Sequence, residues 1–108
     1  MAPRETTTDL TELRRGTLVL AVLTRLKTRQ YGYSLRQALA EGGMPIEEGT
    51  LYPLLRRLEA QGLLTSDWDT ESAPPRRYYR LNADGRRTLA ALTEAWRELA
   101  RVMNAFLD

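Results

Sequence analysis

The 108-residue chain contains no cysteine and no histidine. Without cysteine there can be no disulfide, no thiolate metal site and no thiol nucleophile. Without histidine the commonest general base, the commonest metal ligand and the usual switch near neutral pH are missing as well. Metal binding would have to use oxygen ligands alone, and neither a metal nor a cofactor is expected. Long apolar runs are lacking: the longest, Leu18 to Leu23, is far too short to span a bilayer. The first ten residues, MAPRETTTDL, have no apolar core and resemble no signal peptide. The expectation is a cytoplasmic protein with no membrane partner. Lysine is nearly absent: fifteen of the sixteen basic residues are arginine, and Lys27 is the exception. Arginine suits bidentate contact with phosphate or guanine, although a genome-wide preference for arginine would give the same count. Net charge is only +2, so the placement of charge must decide whether nucleic acid is a partner. Acidic pairs occur at Glu47-Glu48 and Asp67-Asp69, but no glycine-rich phosphate loop or nucleophile constellation accompanies them. Solvated charge explains them better than catalysis does, and an enzyme is not expected.

What the chain does contain is strong periodicity. Its length favours one domain with a modest core. Residues 1–8 are small and polar and read as a flexible tail. A first helix is predicted from about Asp9 to Lys27, with Asp9 and Thr11 suited to its start. The second half of that helix is apolar on more than one side, which suits a central, buried position. Tyr31-Gly32-Tyr33 interrupts the pattern. SLRQALAEGG then places Leu35, Ala38 and Leu39 on one face, with Gly42-Gly43 as the stop. A short loop leads to EEGTLYPLLRRLEAQGLL, where Leu51, Leu54, Leu55 and Leu58 form a helical stripe ending near Gly62. Two short helices joined by a tight glycine-containing turn make a helix-turn-helix. After Gly62 the period becomes two. LLTSDWD and RRYYRL alternate around the turn TESAPP, and a β-hairpin following a helix-turn-helix is a wing. Asn82 is a good N-cap for a last helix, in which Leu89, Leu92, Trp96, Leu99, Met103 and Phe106 recur in a heptad-like seam. That seam suits a second copy of the chain, although a helix packed on its own domain would show a similar stripe. The predicted fold is mainly α with a small β-hairpin: a winged helix-turn-helix over residues 9–81 and a long dimerisation helix over 82–108.

Gly49 and Pro53 pose a question within the third helix, since both are poor helix-interior residues. Projected on a wheel, they share the side away from the leucines with Tyr52, Arg56 and Ala60, while Thr50 and Arg57 flank it. Pro53 lacks the N–H that would meet the Gly49 carbonyl, so the irregularity touches one carbonyl away from the core. A face without a bulky side chain can come close to another surface, and Thr50, Tyr52 and Arg56 supply polar groups beside it. Such a face suits the major groove of DNA. The plainer alternative is a helix that starts late, with Tyr52 packed inward. Glu47 and Glu48 count against DNA, unless they serve the helix N-terminus or read cytosine. On the wing, Arg76, Arg77 and Arg80 could follow a phosphate backbone, or could pair with Asp67, Asp69 and Glu71 across the hairpin. Trp96, set among Ala91, Leu92, Ala95, Leu99 and Val102, either packs fully or walls a slot for a flat, apolar ligand.

GTLYPLLRRLEAQGLL followed by RRYYRLNADG resembles the PadR family of bacterial transcriptional regulators, and YGYSL resembles that family's entry to its second helix. The resemblance covers about residues 10–106. It implies a winged helix-turn-helix, a homodimer held by terminal helices, and repression from an inverted-repeat operator in double-stranded DNA. By position it places DNA-facing tyrosines at Tyr33 and Tyr52, the glycine and threonine of the third helix at Gly49 and Thr50, and wing arginines at Arg76 and Arg77. It also raises the prospect of a planar aromatic effector held near Trp96. Asn82 stands where the family commonly has threonine, which keeps the cap, and Glu47 stands where serine is common. Two other readings stay open: a small-molecule sensor whose DNA role is secondary, and a protein-interaction winged helix that binds no DNA.

Overall fold

A computed structural model describes the backbone from Pro3 to Asp108 and the side chains from Leu10 onward. Helix α1 (Pro3–Arg25) leads into a two-residue strand β1 (Gln30–Tyr31), then α2 (Gly32–Glu41) and α3 (Glu48–Ala60). The hairpin strands β2 (Leu64–Asp69) and β3 (Arg76–Leu81) follow, and α4 (Ala83–Leu107) closes the order. The three strands form one antiparallel sheet in the order β1-β3-β2.

Two boundaries differ from the expectation. Helix α1 begins at Pro3 and ends at Arg25, so residues 3–8, read as a tail, continue the helix and Asp9 lies inside it. Proline suits a first helical turn, where its missing N–H has no partner to lose; Met1 and Ala2 lie outside the described residues. Strand β1 was not anticipated: Gln30 pairs with Tyr79 and Tyr31 with Tyr78, so the first half of the Tyr31-Gly32-Tyr33 break extends the wing into three strands.

The core forms where the helical stripes meet. Val22, Leu23 and Leu26 of α1, Leu35 and Leu39 of α2, and Leu51, Leu54, Leu55 and Leu58 of α3 are buried together with Leu64, Tyr79 and Leu81 of the hairpin. Leu89 joins them at 6% exposure. This corrects its assignment to a surface between subunits: the first step of the α4 seam belongs to the chain's own core, because α4 docks on α1 and on β3. The stop signals act as expected. Gly43 and Gly62 both have positive φ, 92° and 82°. At each, the next amide reaches back to the helix, Met44 N–H to the Leu39 carbonyl at 2.8 Å and Leu63 N–H to the Leu58 carbonyl at 3.0 Å. Both are Schellman turns, where glycine takes the left-handed position without a Cβ penalty. They set the short reach from α2 to α3 and from α3 to the wing. At the far end of the hairpin, the Asn82 side chain accepts the Gly85 N–H at 2.8 Å and donates to the Gly62 carbonyl at 2.8 Å, so one residue caps α4 and ties it to the end of α3.

Candidate nucleic-acid interface

Helix α3 places its polar residues on the side opposite its four buried leucines. Gly49, Thr50, Pro53, Arg56, Arg57 and Ala60 are exposed. The helix starts on the Glu47 carbonyl, which accepts from Thr50 N–H at 3.0 Å and Leu51 N–H at 2.9 Å. Proline at position 53 therefore sits in the second turn and disturbs a carbonyl that already faces outward. The two acids at the helix start are disposed differently. Glu48 turns toward α2, where Arg36 meets it at 3.0 Å, so its charge is partly neutralised; Glu47 supplies its carbonyl.

Tyr52 corrects one expectation. It was placed on the exposed face, but its ring is half-buried and packs against the core. It leans on the start of α2, where a Cβ added to Gly32 would stand 2.1 Å from the Tyr52 hydroxyl oxygen. Gly32 is itself buried, and its lack of a side chain makes room for the tyrosine. Tyr52 therefore wedges α2 against α3 and also lines a groove of about 620 Å³ between α3 and the wing.

That groove gathers most of the expected residues. Tyr33, exposed at the start of α2, forms one wall, and Tyr52 and Arg56 of α3 form another. Trp68, Pro74, Pro75, Arg76 and Arg77 of the hairpin close the third side. The remaining members, Gly49, Thr50 and Pro53, lie on the other shoulder of α3, beside Arg15, Leu18 and Val19 of α1 and Arg57. The two groups thus share the exposed side of one helix, a low ridge with cations toward the wing and toward α1.

The wing arginines do not pair with the wing acids. Asp67 is taken by Arg29, which lies just before β1, at 2.7 Å. This hydrogen bond holds the Asp67 carboxyl below the usual carboxylate range. Asp69 accepts from the Ser72 hydroxyl at 2.8 Å and from the Glu71 N–H at 3.0 Å, and its carboxyl is lowered mainly by the Ser72 bond. Arg76 stacks over the Tyr31 ring, 4.4 Å from its centre, and Arg29 over the Tyr78 ring at 3.7 Å. Tyr31 and Tyr78 touch each other with ring centres 5.3 Å apart. The outer face of the sheet is therefore a row of arginine, tyrosine, tyrosine, arginine, in which both cations are attracted to ring faces. Arg77 points to the other face and pairs with Glu59 of α3 at 3.1 Å. Trp68, Tyr31, Tyr78, Arg29 and Glu59 were not singled out from the sequence. For Tyr78 the signal was available, since alternation in RRYYRL puts one tyrosine outward; Tyr31, Arg29 and Glu59 reach the wing only through the fold. Among the described residues no group of histidine, cysteine, aspartate or glutamate could hold a metal, and no helix is long and apolar enough to cross a membrane.

A helix-turn-helix whose second helix is flanked by a three-stranded wing defines the winged helix-turn-helix class. Comparison narrows the class. Residues 19–91 match the Transcriptional regulator PadR-like family. A transcriptional regulator of Mycobacterium tuberculosis is 38% identical over 91 residues, covering 83% of this chain and 85% of that protein. The crystal structure of a PadR family transcriptional regulator from Eggerthella lenta superposes with a TM-score of 0.91 at 46% identity, covering 97% of this chain and 94% of the other. A PadR-like transcription factor from Bacteroides fragilis gives 0.75 at 35% identity, covering 92% and 98%. The chain belongs to the PadR-like family of transcriptional regulators.

Proposed function

We propose that the chain acts in the cytoplasm as a homodimeric repressor that binds an inverted-repeat operator in double-stranded DNA, without catalysis. The observation that carries this is the ridge of α3. Gly49 and Pro53 leave it low, Thr50 and Arg56 stand on it, and Tyr33 and Arg76 rise beside it from α2 and the wing. A low ridge can seat against base edges in the major groove while the flanking hydroxyls and arginines meet phosphates. Exposed apolar residues along α4, Leu92, Trp96, Leu99, Met103 and Phe106, supply a face for the second copy. The test is duplex binding by fluorescence anisotropy over a salt series. The reading requires log affinity to fall linearly with log salt, with a slope of about −0.9 for each phosphate contact. A sequence selected from a random pool should bind more tightly than a scrambled one. Flat, salt-independent binding, or none, would leave a protein-interaction domain.

A cleft of about 300 Å³ between α1 and α4 supports an effector as a second component of this reading. It is lined by Gly16, Thr17, Val19, Leu20, Leu92, Ala95, Trp96 and Leu99. Its walls are apolar, and Trp96 offers a ring face, so a planar aromatic compound is the matching ligand. Titration with a planar aromatic dye should show binding that Trp96→Ala removes while the protein stays folded. Equal binding by the two proteins would make Trp96 a packing residue.

A further inference from the structure

Arg77 stands in the strand that borders the groove, yet its guanidinium is held on several sides. Its Nη2 donates to Glu59 Oε1 at 3.1 Å, and its Nε and Nη2 donate to the Ser66 hydroxyl at 3.1 and 2.9 Å. Ser66 in turn donates to Glu59 Oε2 at 2.5 Å, closing a ring of three side chains. The rings of Trp68 and Tyr79 lie 5.7 and 5.6 Å from the guanidinium carbon, inside the range of cation–ring attraction. Burial pushes the Tyr79 phenol up, so this ring stays neutral beside the cation. The three hydrogen-bonded residues come from three elements: Glu59 from α3, Ser66 from β2 and Arg77 from β3. Glu59 lies one turn beyond Arg56 on the flank of α3 that faces the wing.

A phosphate could draw Arg77 away only by breaking this ring. Glu59, whose side chain is 29% exposed, would then be left without its cation beside a polyanion. Stranding a partly buried carboxylate costs more than an exposed ion pair to phosphate returns. Arg76 is different: it is exposed, stacks on the Tyr31 ring and hydrogen-bonds the Tyr78 side chain, but has no carboxylate ion pair among the described residues, so meeting a phosphate strands no acid.

We propose that Arg77 is a strut rather than a phosphate ligand, and that Glu59, by holding it, is a specificity-determining positioning residue that fixes the wing against the recognition helix. The proposal rests on the DNA-binding reading above. Base contacts from α3 and backbone contacts from the wing can form together only if their separation is set beforehand. Loosening the strut therefore weakens the operator complex. Binding to arbitrary duplex, which needs charge and little geometry, changes far less.

The experiment measures affinity and salt slope on a selected operator and on a random duplex, for wild type and four variants. Arg77→Lys keeps the charge but loses the planar fork and the stacking. It should lose about tenfold on the operator, the size of one charge-assisted hydrogen bond, with the random duplex and the salt slope unchanged. Glu59→Gln keeps size and an acceptor, and should shift in the same direction. The double variant Glu59→Gln/Arg77→Lys should be no worse than the weaker single, because both break one network. Arg76→Ala should behave oppositely, weakening both duplexes alike and flattening the slope by about 0.9. Hydrogen exchange without DNA gives a second readout: β2 and β3 amides should exchange faster in Glu59→Gln while α3 stays protected. The proposal is overturned if Arg77→Lys binds the operator like wild type. It is also overturned if Glu59→Gln tightens binding to both duplexes with a steeper slope, since Glu59 would then be restraining a phosphate ligand. A wild type that binds neither duplex would overturn the DNA-binding reading itself, and the proposal with it.

Discussion

Gly49 and Gly85 are both helical glycines, and a methyl group would act in opposite ways at the two. At Gly49 an added Cβ meets nothing within 4 Å among the described residues. Alanine there removes only the backbone freedom of glycine, so Gly49→Ala should raise stability by roughly 0.5–1 kcal/mol in a denaturant melt. A residue that costs helix stability and touches nothing in the free chain is explained if a second surface approaches it. The same variant should therefore bind operator DNA more weakly; unchanged binding would remove Gly49 from the interface. At Gly85 the added Cβ would stand 2.1 Å from the Leu63 carbonyl oxygen, a backbone atom that cannot swing aside. Gly85→Ala should cost about 1–3 kcal/mol, as overpacking does, and should shift the whole melt without a specific effect on DNA. The first glycine was legible in the sequence because Gly49 shares an exposed face with Pro53 in an otherwise regular stripe. The second was not, since close approach between α4 and the end of α3 depends on how the hairpin folds back. Glu59 was hidden for a similar reason. In sequence it is one more acid in a solvated helix, and only the hairpin brings Arg77 to it.

At the scale of elements, what could be read follows from how local each signal is. Helix α3 and its end at Gly62 were legible because four leucines and a left-handed glycine lie within one short segment. Strands β2 and β3 were legible because alternation over LTSDWD and RRYYRL outlasts a single turn. Strand β1 carries two residues, too few for any period, and exists because Tyr31 finds Tyr78 across the sheet. The start of α1 was misread because ETTTD is polar and has no apolar stripe, so periodicity had nothing to report. The wing acids show the same limit. Charge balance within the hairpin left open whether Arg76, Arg77 and Arg80 pair with Asp67, Asp69 and Glu71. Register does set Asp69 opposite Arg76, but the acids are drawn to Arg29 and to the hairpin's own turn. This leaves Arg76 to the Tyr31 ring and the Tyr78 side chain, exposed at the edge of the groove.

For the whole molecule the decisive feature is how α4 divides. It packs on α1 and β3 and buries Leu89; farther along Leu99 is 54% and Phe106 79% exposed, and Leu10 and Leu13 of α1 are exposed as well. A row of large apolar side chains in water is unfavourable for a chain on its own and marks a surface meant to be covered. In the proposed homodimer a second copy would cover it, since two such seams related by a two-fold axis meet in an isologous contact. The same axis would set two α3 ridges at half-sites about 10 base pairs apart or a multiple of this. The division predicts different failures for two leucines on one helix. Leu89→Ala opens a cavity in the chain's own core and should lower its stability by about 2–5 kcal/mol. Leu99→Arg leaves that core alone and places a charge on each side of the seam, where it would be unpaired. Sedimentation should show a folded monomer with the helical dichroism of the wild type. Loss of the second half-site should weaken operator binding by about 100-fold or more, the usual size of bivalent gain, while a single half-site still binds. A Leu99→Arg protein that sediments as a dimer would refute the seam, and the exposed row on α4 would then have to face a different partner.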